Sequence, residues 1–209
     1  FGYVFKSKQQ YFAIFVFIGI TFWDFFNKCL IQSVKLIKAN KPIVSKVYIP
    51  KFILILVKMG VNGFKMFISL LIIVAMLAVW RVPITYNVIY IIPILMTLIV
   101  LVFGFSCYLL HYGVFVEDLS NVLNIALRFL FYLTGIFWNI MDRLPAPYNS
   151  YIGRCNPIAF LLTSARDCVI YGSTPHRKLL LLWFVIGLII SALGVRKIYK
   201  NENSYVKVI

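Results

Sequence analysis

The residues best placed to do chemistry share one apolar stretch: Asn124, Arg128, Tyr132, Gly135 and Asn139. Their spacings of 4, 4, 3 and 4 put them within roughly 80° of one face of a helix. Phe131 and Trp138 flank that stripe. An arginine inside a membrane segment is costly, so it turns toward the bundle interior or a wet cavity, where it can meet an anion. One reading has Arg128 facing a substrate pathway. In the other it reaches back to inner-leaflet phosphates while the stripe packs against neighbouring helices. Glu117 and Asp118 precede the stretch, where acids suit a helix amino terminus and Asp118 can cap it. Contact with a basic partner surface is the alternative role for that pair.

Enzyme chemistry finds little support. The chain has no GxxxxGK[ST], HExxH or GxSxG motif, so no phosphate-binding loop, zinc-protease helix or nucleophile elbow is expected. Only six acids occur, and no two of them share a face of one apolar segment. His111 and His176 are far apart in sequence and fall on opposite sides of the membrane in the topology below. Cys29, Cys107, Cys155 and Cys168 lack metal-ligand spacing. They read as apolar packing, with an outer Cys155–Cys168 bridge as the alternative. No catalytic residue, metal site or chain-bound cofactor is therefore predicted.

The elements that must position the stripe are membrane helices. Residues are 62% hydrophobic and 13% charged, with a mean hydropathy of +0.92. Soluble domains average roughly 45–50% apolar and about 25% charged. The net charge of +15 gathers at the ends of apolar runs, which marks membrane topology rather than nucleic-acid binding. A spanning helix needs about 20 apolar residues. Five stretches qualify: Tyr11 to Val34, Ile53 to Val79, Val88 to Tyr112, Leu119 to Met141 and Leu179 to Val195. The opening FGYVF reads as the end of an earlier apolar helix, so a further span before Tyr11 is expected.

The segment from Val34 to Lys58 carries six lysines, and no acid occurs between Asp24 and Glu117. Basic loops between spans stay in the cytoplasm, which places this one inside. Alternation then puts Arg81–Asn87 outside, His111–Asn121 inside, Asp142–Lys178 outside and the tail from Arg196 inside. Lys58 and Lys65 read as anchors that snorkel from the inner half of their span. Within the outer stretch, Asn156 is suited to capping a helix, Pro157 to its first position and Gly172 to its end. Ile158, Leu161, Leu162, Ala165 and Val169 recur at helical spacing with Arg166 and Asp167 off that face. That pattern predicts a short amphipathic helix lying in the outer interface.

Several pieces, in this order, resemble the permease subunits of type-2 ABC exporters for cell-surface polysaccharides, including O-antigen and teichoic acid. They are FIGITFWDFF (17–26), IVSKVYIPKFIL (43–54), FVEDLSNVL (115–123), FLFYLTGIFW (129–138), LPAPY (144–148), NPIAFLLTSARDCVIYG (156–172) and YKNENSYVKVI (199–209). The resemblance implies an all-α polytopic bundle of six spans, five of them visible, with short outer interfacial helices, forming one transmembrane domain over residues 1–209. It implies a homodimer in the bacterial plasma membrane, with cytoplasmic ATPase subunits that hold ATP and Mg. It also implies a lipid-linked glycopolymer as substrate. Lys46, Val47, Tyr48, Ile49, Pro50 and Lys51 match the region that couples to the ATPase. Asn156, Pro157, Arg166, Asp167 and Gly172 match an outer gate. Phe129, Tyr132 and Trp138 match the lining of the glycan path. Arg128 and Asn139 of the stripe are read as belonging to the same path, with Arg128 as the cation that would receive the lipid diphosphate. Many members of that family have Arg-Asp where this chain has Glu117-Asp118, a departure from the resemblance in that loop. Exporters of drugs or simple lipids, and a membrane-bound lipid-modifying enzyme, remain the alternatives.

Overall fold

The computed structural model describes residues 11–44, 49–83, 85–138, 153–202 and 204–205. Their regular structure is helical. In chain order the elements are α1 (Phe12–Val34), two single turns α2 (Leu36–Ala39) and α3 (Lys41–Val44), and α4 (Lys51–Val79). A 3₁₀ turn (Tyr86–Tyr90) then leads into α5 (Ile91–Phe115), followed by α6 (Leu119–Leu133), α7 (Pro157–Val169) and α8 (Arg177–Lys200). Four of these (α1, α4, the 3₁₀ turn with α5, and α8) are long and apolar enough to cross a membrane. The 23 residues of α1 extend ~35 Å, against a hydrocarbon layer of ~30 Å. The chain is an all-α, multi-pass membrane bundle.

Local chemistry explains the boundaries. Pro50 occupies the cap position of α4, since its ring tolerates a helix start but not an interior. Pro93 falls in the first turn of α5, where a missing N–H costs least. α4 closes with Arg81 at φ 49 and two reversed bonds, Arg81 N–H to Ala78 O and Val82 N–H to Leu77 O, a Schellman ending. Lys197 and Lys200 lie in the last turn of α8, where cations suit the dipole.

The predicted fourth span departs from expectation. Its α-helix is continuous only from Leu119 to Leu133, ~22 Å of rise. It ends at Gly135, which adopts φ 69, a left-handed conformation that glycine enters without a Cβ clash.

α1 is the hub, with Ile14, Phe15, Ile18, Phe22, Phe26 and Leu30 all buried, and it touches α4, α5, α6 and α7. α5 and α8 lie against each other through small residues. A methyl added to Gly104 would reach within 3.0 Å of Ser191 N, and one on Gly194 within 2.7 Å of Cys107 Cβ. Ser191 Oγ also donates to Val100 O at 2.9 Å. Close backbones and such a hydrogen bond are how helices associate in lipid, which is itself apolar. α4 instead exposes Val57, Val61, Phe64, Phe67, Leu71 and Val74, an apolar face suited to acyl chains.

Contacts at the helix ends fit the predicted alternation. At one end, the close of α1 meets α5, where a methyl on Gly113 would come within 2.1 Å of Val34 O. The start of α4 meets the tail there through Lys51 and Glu202. At the other end Asn87 donates to Gly172 O, Arg177 lies over the Tyr90 ring and α7 packs against the start of α1.

Candidate functional site

α6 carries the stripe that opened the sequence reading, and only part of it survives as a helix face. Asn124, Arg128 and Tyr132 share α6; Gly135 lies beyond its end, and Asn139 falls outside the described residues. The side chain of Asn124 turns back to donate to Ser120 O at 2.8 Å. Arg128 is exposed, as are Phe129 and Tyr132, each at 69%, together with Val122 and Ile125. α6 buries Ser120 and Leu127 against the bundle. One long face, aromatic and aliphatic around a single cation, is therefore left uncovered among the described residues. Trp138 is half-buried. Asp118 holds the cap position of α6 without a side-chain cap bond; Asn121 Nδ2 reaches it instead, at 3.4 Å.

The stretch after α6 is held from α7. Asn156 caps α7 as predicted, its Oδ1 accepting from Ile158 N–H and Ala159 N–H at 3.0 and 3.3 Å. Pro157 opens the helix, and Gly172 follows it at φ 63. The helix is not a surface one, however. Ten of its thirteen residues are buried, including Arg166 at 3% exposure. Periodicity had set Arg166 on a polar face; the structure turns it inward. Its guanidinium donates from Nε to Phe15 O (3.1 Å), from Nη1 to Gly135 O (2.9 Å) and from Nη2 to Ile136 O (2.7 Å). It also stacks 3.4 Å above the Phe15 ring.

The cause is local. Breaking α6 at Gly135 leaves carbonyls without helical donors, and unmatched polar groups are costly where no water reaches. One planar guanidinium with five N–H groups can serve several of them at once. Gly19 provides the space, since a Cβ there would lie 2.6 Å from Arg166 Nη2. Burial lowers the Arg166 pKa to about 9, opposed by Tyr171 and Asp167, so at neutral pH it remains a cation. Burial likewise raises Asp167 to about 6, with Arg166 pulling the other way. α7 thus ties the first turn of α1 to the break in α6.

The coupling-region residues separate. Lys46, Val47 and Tyr48 lie outside the described residues, while Ile49 and Pro50 are half-buried. Lys51 belongs to the segment matched above to ATPase coupling, yet its charge is turned inward. It is 2% exposed, lies 3.6 Å from Glu202 and donates to Ile49 O at 3.0 Å. Lys35, Lys38 and Lys41 on the preceding turns are exposed.

A polar groove that the sequence reading missed runs between α1 and α4. Asp24 pairs with Lys28 one turn on, and Thr21, Asn62, Lys65 and Ser69 complete a cleft of about 90 Å³. Asn62 is buried and donates to Gln32 Oε1 at 3.0 Å. The i, i+4 pairing of Asp24 and Lys28 was the available signal. All four cysteines are free, so the outer bridge is not formed; Cys155 is exposed and the other three are buried.

No family model matches the chain. It is 22% identical, over a 210-residue alignment, to the O-antigen export system permease protein RfbA of Klebsiella pneumoniae, covering 100% of this chain and 80% of that protein. A second Klebsiella pneumoniae protein of the same name matches with the same identity and coverage. With its spanning helices, the chain is a multi-pass protein of the bacterial inner membrane. Helix content and similarity along the whole chain bear out the resemblance to the permease subunits of type-2 ABC polysaccharide exporters.

Proposed function

We propose that the chain is the membrane half of an exporter that moves a lipid-linked glycopolymer outward, driven by a separate ATPase. The exposed face of α6 carries the proposal. Phe129 and Tyr132 are mostly uncovered close to Arg128 on the same helix, so a second copy of the chain would enclose the face and make it a lined path. Aromatic faces hold sugar rings weakly through their C–H edges, which suits a sliding polymer. Arg128, ~15 Å along α6 from Asp118, would meet the lipid diphosphate as it enters, because a guanidinium binds phosphate oxygens in pairs.

Trp138 and Asn139 would continue the path toward a gate built from Asn156, Pro157, Arg166, Asp167 and Gly172. ATP and Mg would bind the partner subunit, which docks at the end formed by residues 46–51 and the exposed lysines. O-antigen and teichoic-acid chains both fit this chemistry.

Depletion of the full-length protein tests the reading. Surface glycopolymer should fall while its lipid-linked precursor accumulates inside; unchanged surface polymer would refute it. Arg128→Ala is expected to reduce export at least tenfold, the scale of a lost charge-assisted contact. Because the residue is exposed, the variant should keep wild-type thermal stability. Export at the wild-type rate would remove Arg128 from the path.

A further inference from the structure

The described part of the tail, residues 196–202 and 204–205, does not leave the bundle. After α8 it turns back so that Glu202 is 6% exposed and Tyr205 is fully buried. Glu202 lies 3.6 Å from Lys51 at the first position of α4. Tyr205 Oη is 2.8 Å from His111 Nδ1 in the last turns of α5, and its ring packs beside Phe115. Phe52 and Tyr199 add a third contact between α4 and the end of α8.

The ion pair is not explained by the needs of its helix. A cation at a helix amino terminus opposes the dipole, and α4 has no acid in its first turn. A carboxylate supplied from the tail reverses that mismatch. A buried pair is also seldom the most stable filling of such a site; its attested value is to fix one register. Lys51 further grips Ile49 O, so the last described residues of the coupling segment are tied into the same knot. From Phe115 to Leu119 only three residues intervene before α6 begins.

We propose that the tail is a strut, with Lys51, Glu202, His111 and Tyr205 as positioning residues. They pass motion of the coupling segment to the inner end of α5 and on to α6. The strut rests on the reading above, in that α6 is taken to face the cargo.

The test uses the full-length protein assembled with its ATPase in vesicles. Glu202→Lys should lower export per ATP hydrolysed about tenfold, within the usual range of coupling energies, while ATP hydrolysis continues, and Lys51→Glu should lower export per ATP by a similar factor. The double exchange should restore most of it. Single variants with unchanged export per ATP, or a double that assembles but does not recover, would overturn the strut. Should the charge variants fail to assemble, Tyr205→Phe decides. It removes one hydroxyl and keeps the ring, so reduced export per ATP at normal assembly supports the strut and wild-type behaviour refutes it. A second readout needs no cargo: thiol labelling of Val122→Cys on α6, in a background without the native cysteines, with and without ATP. ATP should change labelling in the parent and not after Glu202→Lys. That pattern would stand even if depletion refuted the glycopolymer reading, and equal ATP response in both would sink the strut alone.

Discussion

At the scale of single residues, the decisive side chain is Arg166 rather than Arg128. Three carbonyls and one aromatic face meet it from two other parts of the chain. Arg166→Ala should destabilise the folded protein by at least ~3 kcal/mol, because bonds to a charged donor contribute about 1.5–3 kcal/mol each and the carbonyls stay buried. Thermal unfolding in detergent measures this. Arg166→Lys should not rescue, since a compact ammonium cannot span those carbonyls while lying flat on Phe15. Asp167 gives a pH signature with a definite sign. Its folded pKa is raised to about 6 from 3.8, so the native state holds the proton more tightly than the unfolded one. Stability from this group is fully present below the unfolded value and is lost as pH rises through about 6. Asp167→Asn should flatten the profile between pH 4 and 7 and leave the variant at least as stable at neutral pH; a steep profile that persists would assign the effect elsewhere. Little of this was legible beforehand. The partners of Arg166 stand 30, 31 and 151 positions away, and local periodicity carries no information at such separations.

Among elements, the spans were readable because an apolar run of sufficient length has one stable solution in lipid. The cap, first proline and terminal glycine of α7 were readable for the same reason: each acts within a turn. The break in α6 was not, since Gly135 in LTGIF serves equally as a small packing residue or as a left-handed stop. Helix contacts follow from glycines whose need appears only in the fold. Gly113→Ala should be severe, as its methyl would lie 2.1 Å from Val34 O and neither backbone can yield. The expected result is loss of folded, detergent-stable protein, read as collapse of the monodisperse peak in size exclusion. Gly60→Ala is the matched control, having nothing within 4 Å of its added methyl, and should keep wild-type yield.

At the scale of the whole molecule, the end bearing the lysines and tail is fastened by an ion pair and a buried tyrosine, and the opposite end by Arg166. Between them α6 buries only Ser120 and Leu127, which leaves room to move where the proposed path lies. The reversal of roles between Lys51 and the exposed Lys35, Lys38 and Lys41 carries the same lesson. Charge count oriented the segment, but only the fold separates the cation that holds structure from those that face outward. The cysteines supply a reporter that needs no engineering. Cys155 alone among the four is exposed, and burial raises the Cys168 thiol to about 11, far from its reactive form. A charged maleimide that cannot cross the bilayer should therefore label Cys155 in intact cells, and pretreatment from outside should abolish later labelling at that residue. Labelling only after the membrane is opened would invert the assigned orientation, so the native chain already contains its own compass.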